Sequence, residues 1–149
     1  MFKTTNIDHV GVNTNDMEAT VQFYCGILGM KIARTMRTPN GGRHYNVEIG
    51  GGNSFAFFET DQDLSKTSNQ FLNHFAIPVA TSEEFDESLK ALTDHGVETT
   101  EIIERDWGKT FYFTDPNGIR LQIELQFKED LRDVNGDPDP VPSAAKYMK

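Results

Sequence analysis

The sequence predicts an α+β fold of two tandem β-α-β-β-β modules, with curved mixed sheets facing a shared cavity. Three observations carry this. A seventeen-residue hairpin pattern occurs twice, 65 residues apart, as "RHYNVEIGGGNSFAFFE" over 43–59 and "GKTFYFTDPNGIRLQIE" over 108–124. The strand "LNHFAIPV" stands at the same offset from "NIDHVGVN", so that His74 falls on His9. Each of these strands is followed by a helix pattern with a capping start and a glycine stop.

The elements follow in order. "NIDHVGVN" alternates as a first strand. The first helix starts near Asn15 with Glu18 three residues on, carries Met17, Val21, Tyr24 and Leu28 at helical spacing, and stops at Gly29. "KIARTMRT" is a strand, and the first hairpin turns at its glycines. The polar link "TDQDLSKTSNQ" leads to "LNHFAIPV". A second helix starts near Thr81 with Glu84 three residues on, presents Phe85, Leu89 and Leu92, and stops at Gly96. "VETTEIIE" and the second hairpin, turning at Asp-Pro-Asn-Gly, complete the repeat. The modules span 1–63 and 64–127. The remainder, 128–149, is too rich in Pro and Asp for a strand or long helix and reads as an extended arm.

Composition narrows the function. Net charge is −9, which argues against nucleic acid or an anionic membrane as partner. No stretch has the length of a membrane span, and the start lacks a long apolar run with a small-residue cleavage site. The single cysteine, Cys25, sits in a helical pattern as a packed residue, which fits a reducing cytoplasm.

The repeat also aligns chemistry. His9 to Glu59 is 50 residues, and His74 to Glu124 is again 50. A pseudo-twofold pairing of the halves would bring His9, Glu59, His74 and Glu124 to one point. Two imidazole nitrogens and two carboxylates, with water completing the shell, suit one divalent ion such as Zn, Ni, Co, Mn or Fe(II). Strand parity places Glu59 with Phe57 and Phe55, and Glu124 with Gln122 and Arg120, on the cavity side. The same parity points Tyr45, Val47, Thr110 and Tyr112 inward. The aromatic lining (Tyr45, Phe55, Phe57, Tyr112) suits a planar or apolar substrate, with Thr110 beside it, Tyr112 as a donor to an oxyanion and Arg120 as a carboxylate anchor.

"IDHVGVNTNDMEATVQFYCGILGMKI" and "FYFTDPNGIRLQIE" resemble the vicinal oxygen chelate superfamily, over about residues 6–126. That superfamily includes glyoxalase I, methylmalonyl-CoA epimerase, extradiol dioxygenases, fosfomycin-resistance proteins and bleomycin-binding proteins. The resemblance places metal positions on His9, Glu59, His74 and Glu124, a set most like glyoxalase I. It implies a lyase or isomerase acting on a small substrate with vicinal oxygens through a metal-stabilised enediolate. Glu59 or Glu124 would then loosen from the metal and move the proton. It also implies a homodimer. An Fe(II) extradiol-type dioxygenase, in which Glu59 steps aside, is the alternative, and a sequestering binder is the second. The chain departs from bacterial glyoxalase I at Asn13, where that enzyme has a glutathione-binding arginine, and at Asp63, where it has asparagine. These departures argue for a substrate other than glutathione.

Overall fold

The computed structural model describes residues 6–66 and 72–127, together with 141 and 144. The arm expected over 128–149 lies outside the described residues apart from those two positions. The first module comprises β1 (His9–Thr14), α1 (Met17–Val21), β2 (Ile32–Arg37), β3 (Arg43–Gly50) and β4 (Asn53–Glu59). The second comprises β5 (Phe75–Val79), α2 (Ser82–Asp94), β6 (Ile103–Arg105), β7 (Gly108–Thr114) and β8 (Arg120–Gln126). Each sheet has four strands, in the orders β1-β4-β3-β2 and β5-β8-β7-β6, with one parallel pair, β1/β4 or β5/β8. The two sheets do not close on one another. This is the expected pair of β-α-β-β-β modules.

Local chemistry sets the ends. At α2 the Thr81 hydroxyl accepts from Glu84 N–H and the Glu84 carboxylate accepts from Thr81 N–H, a reciprocal cap that satisfies two orphan donors. Gly96, at φ 73°, ends it in a left-handed conformation that a side chain would disfavour. The expected first cap moves by one residue: Asp16, not Asn15, accepts from Ala19 N–H. Asn15 instead donates to the carbonyls of Thr60 and Gln62, tying the helix start to the end of β4. α1 runs on as a π-helical stretch, Gln22–Ile27. The strand expected over "VETTEIIE" is mostly irregular, with a bridge from Thr99 to Phe113 before β6 begins at Ile103. Gly108 is required by packing, because a Cβ there would lie 2.3 Å from the Leu125 carbonyl oxygen.

The core is largely aromatic. In the first module, the ring of Tyr24 lies 4.8 Å from Phe57 and 5.5 Å from Phe55. In the second, Phe85 of α2 meets Phe111 edge-on at 5.1 Å. The modules join through Phe23 against Phe113 and Phe55 against Phe75, at 6.1 and 5.4 Å. A buried polar seam runs beside them. Tyr24 Oη donates to Asp115 Oδ2 at 2.9 Å, and Asn117 Nδ2 donates to Asp115 Oδ2 and to Thr20 Oγ1 at 3.1 and 3.2 Å. Asp115 also accepts from the main-chain N–H groups of Asn117 and Ile119, which shapes the β7–β8 turn. Among the described residues, no helix is long and apolar enough to cross a membrane.

The seam sets a stability expectation. Tyr24→Phe keeps the ring and removes a buried hydrogen bond to a carboxylate, so urea denaturation should show a loss of about 1.5–3 kcal/mol. Burial, reinforced by the charge of Asp115, pushes the Tyr24 phenol far above its ordinary value. A group whose folded pKa is raised contributes stability that is intact below its unfolded pKa, about 10 for tyrosine. Above that pH the contribution should fall by about 1.4 kcal/mol per pH unit, and Tyr24→Phe should lack this component.

Candidate ligand site on the helix-free sheet faces

Strand register assigns every side chain to a face. In the first sheet, His9 stands level with Ser54, Gly11 with Ala56 and Asn13 with Phe58, while His44 pairs with Phe58 and Asn46 with Ala56. These residues share one face. Val10 with Phe55, Val12 with Phe57, Thr14 with Glu59, and Tyr45 with Phe57 share the other. Tyr24 covers the second set, which makes it the helix side. In the second sheet Phe85 marks Phe111, Phe113, Leu121 and Ile123 as the helix side. Thr110, Tyr112, Arg120, Gln122 and Glu124 occupy the helix-free face, where the His74 ring meets Tyr112.

The expected inward direction therefore holds in the second module and reverses in the first. Tyr45, Phe57 and Glu59 belong to the helix side. The physical reason is a one-residue difference in register. β1 pairs with β4 at a separation of 45 residues, His9 to Ser54, whereas β5 pairs with β8 at 46, Phe75 to Leu121. A one-residue slip moves a whole strand's side chains to the opposite face. Glu59 is occupied where it stands. Arg43 Nη1 donates to its Oε1 at 2.7 Å and Arg43 N–H to its Oε2 at 3.2 Å, and these bonds hold its carboxyl below the usual carboxylate range.

The four expected metal ligands are thus not brought together within the chain. His74 lies level with Arg120, and Glu124 pairs with Pro78, four residues further along, or about 13 Å at strand spacing. Glu124 Oε1 accepts from Gln126 Nε2. Among the described residues, no three His, Cys, Asp or Glu side chains gather as a metal site. The Glu59 carboxylate faces the helix and is engaged by Arg43, so within the chain the four-residue donor set does not gather around one ion. Thr110 is on the expected face, but its hydroxyl donates to the Ile123 carbonyl at 2.7 Å.

Another constellation does form on the second sheet. The His74 ring stands edge-on to Tyr112 at 5.3 Å, the Arg120 guanidinium lies 4.2 Å over the Tyr112 ring, and Gln122 is the cross-strand partner of Tyr112. A cavity of about 370 Å³ opens beside it, with Thr100, Tyr112, Thr114 and Arg120 in its wall. The cluster combines a flat aromatic surface, a cation and the donors of Gln122 and Tyr112, which suits a planar ligand carrying an anionic oxygen. On the first sheet His44 stacks on Phe58 at 3.9 Å, with its Nε2 buried and unpartnered. Burial pushes the His44 ring below the usual histidine range, and the charges of Arg34 and His9 add to this. Parity in the sequence sets Gln122 on the cavity side without giving it a role, and His44 is a charged group on a hairpin strand, of a kind more often solvated than functional. The available signal was their alternation with Phe and Leu neighbours on hairpin strands.

A family model, the Glyoxalase/Bleomycin resistance protein/Dioxygenase superfamily, matches residues 6–123. The chain belongs to this superfamily. Its fold is similar to a glyoxylase/bleomycin resistance protein/dioxygenase domain from Frankia sp. EAN1pec, at 21% identity and TM-score 0.72, covering 86% of this chain and 96% of that one. A glyoxalase family protein from Enterococcus faecalis gives 26% identity and TM-score 0.64, over 80% and 96% of the two chains. TnmS3, an antibiotic binding protein from Streptomyces sp. CB03234, gives 18% and 0.65, over 85% and 100%. No curated protein matches the sequence. Superfamily members include enzymes and non-enzymatic binding proteins, commonly use a divalent metal, and often form dimers.

The Arg43–Glu59 pair yields a direct check. Glu59→Gln should leave the metal content of the purified protein unchanged, measured by elemental analysis. It should also reduce acid sensitivity. A depressed carboxyl contributes stability above its unfolded pKa, about 4.3, that is lost as pH falls. Loss of metal on this one substitution would return Glu59 to the ligand set.

Proposed function

We propose that this superfamily member binds a small planar molecule bearing an anionic oxygen, and that sequestration rather than glyoxalase-I-type lyase chemistry is its role. The observation that carries the reading is the contact of His74 and Arg120 with the Tyr112 ring, where Tyr112 and Arg120 line a cavity together with Thr100, Thr114, Glu98 and Phe113. The lyase reading needs Glu59 as ligand or base, and Glu59 is committed to Arg43 on the helix side. In the proposed complex the Tyr112 ring supports the ligand plane, the Arg120 guanidinium pairs with its anionic oxygen, and Gln122 supplies an orienting hydrogen bond. A second copy covering the helix-free faces would complete the enclosure and exclude water, so light scattering should give the mass of a dimer.

One observation favours a second reading. His9, His74 and Glu124 all stand on helix-free faces, while Glu59 does not. Those three would be the donors of an Fe(II)-dependent dioxygenase if the faces of two copies meet. Calorimetric titration with hydroxynaphthoates, which are anionic at neutral pH, and oxygen uptake with catechols separate the two. For the binder, Arg120→Ala and Tyr112→Ala should each weaken affinity about tenfold, or about 1.4 kcal/mol. His9→Ala should have no effect, and no oxygen should be consumed after anaerobic loading with Fe(II). Oxygen uptake abolished by His9→Ala would establish the dioxygenase instead.

A further inference from the structure

The cavity beside Tyr112 has two opposite charges in its wall, and strand pairing sets them apart. Of the residues lining it, Glu98 carries the one carboxylate and Arg120 the one guanidinium. Thr99 bridges Phe113, a helix-side residue, in antiparallel pairing. Its neighbours Glu98 and Thr100 therefore turn to the helix-free face, level with Thr114 and Tyr112. Thr100 N–H donates to the Tyr112 carbonyl at 2.9 Å and the Thr100 hydroxyl accepts from Tyr112 N–H at 3.0 Å, which holds this register. Arg120 pairs with Thr114 from the other side. Glu98 and Arg120 thus flank Thr114 on one face, two strand spacings or about 10 Å apart at the backbone. Among the described residues neither forms an ion pair. Arg120 leans over the Tyr112 ring, and Glu98 is exposed. On the binding role proposed for this cavity, a second copy covers the face and excludes water. The Glu98 carboxylate then needs a donor, because a desolvated charge without one is destabilising, and a ligand held by Arg120 is placed to supply it.

We propose that Glu98 sets the specificity of this cavity, and that its ligand class is a hydroxylated aromatic carboxylate with the hydroxyl at the far end of the ring frame from the carboxylate. The ligand carboxylate pairs with Arg120 and its hydroxyl donates to Glu98. The flat frame spans the floor between them, at Tyr112 and Thr114. Charge-assisted bonds at both ends fix its orientation. The same Glu98 charge repels a second anionic group, so a dicarboxylate of equal length is disfavoured.

The test is calorimetric titration of the whole protein with 6-hydroxy-2-naphthoate, 3-hydroxy-2-naphthoate, 2-naphthoate and naphthalene-2,6-dicarboxylate. The first should bind about tenfold tighter than 2-naphthoate, as expected for a hydrogen bond to a charged group. The second, with its hydroxyl beside the carboxylate, should show no such gain, and the dicarboxylate should bind most weakly. Glu98 is exposed and outside the regular strands, so its variants should keep the fold. Glu98→Ala should abolish the preference for 6-hydroxy-2-naphthoate over 2-naphthoate. Glu98→Gln, which removes the charge and adds a donor, should raise dicarboxylate affinity about fivefold or more. Equal affinity of 6-hydroxy-2-naphthoate and 2-naphthoate, both weakened by Arg120→Ala, would overturn the role of Glu98 and leave the binding role of the cavity standing. A preference that survives Glu98→Ala would do the same. Absence of saturable binding by all four acids, or binding indifferent to Arg120→Ala, would overturn both.

Discussion

Tyr24 sits where the two modules meet, and its two ends do different things. The ring packs on Phe55 and Phe57 and so decides which face of the first sheet is covered. The hydroxyl reaches into the second module and donates to Asp115, the residue that shapes the β7–β8 turn. A buried hydroxyl needs a partner, so the ring's position and the turn's position are settled together. Asn117 and Thr20 extend the same bond network, and Phe23 against Phe113 gives it an apolar floor. Helix packing on one side leaves the opposite face of each sheet free of helix, and those faces carry His9, His44, Tyr112, Arg120 and Glu124.

The two helix-free faces differ in kind. The second offers an aromatic plane under a guanidinium, at Tyr112 and Arg120. The first carries Asn46 and His44, each with a buried, unpartnered polar atom, beside the stacked ring of Phe58. An apolar plane with a cation accepts a delocalised anion, whereas unpartnered amide oxygens accept a donor. One duplicated architecture thus holds two surfaces of different chemistry.

The fold could be read from the sequence because its signals are local and repeated. The Thr81–Glu84 cap, the glycine stop at Gly96 and the turn at Asp115–Gly118 each act within a few residues, and each appears where expected. The face carrying Glu124, Tyr112 and Arg120 was legible for the same reason, since alternation in β7 and β8 is clean. The face of Glu59 was not. Its neighbours Phe55, Ala56 and Phe57 are all fully buried, so alternation vanishes across β4. With both faces of the strand apolar, hydrophobic pattern no longer reports direction. The matching 50-residue spacings do not report that face, because they count the chain through helix and loop as well as through paired strands.

That register difference bears on how the two halves have diverged. Once each hairpin is aligned on its own pairing, Phe58 rather than Glu59 takes the place that Glu124 holds in the second module, since Phe58 pairs with His44 and Glu124 with Thr110. Ala56 likewise takes the place of Gln122, and Asn46 that of Tyr112. Of the symmetric four-ligand pattern, only His9 and His74 remain as a matched pair. A symmetric four-ligand centre needs a carboxylate from each half, and at the glutamate position the first module has a phenylalanine ring, while His9, His74 and Glu124 remain on helix-free faces. The helix packing on which the fold depends was kept in both halves, with Tyr24 and Phe85 each set against sheet phenylalanines. The helix-free faces carry no such packing constraint, and it is there that the halves have become chemically distinct.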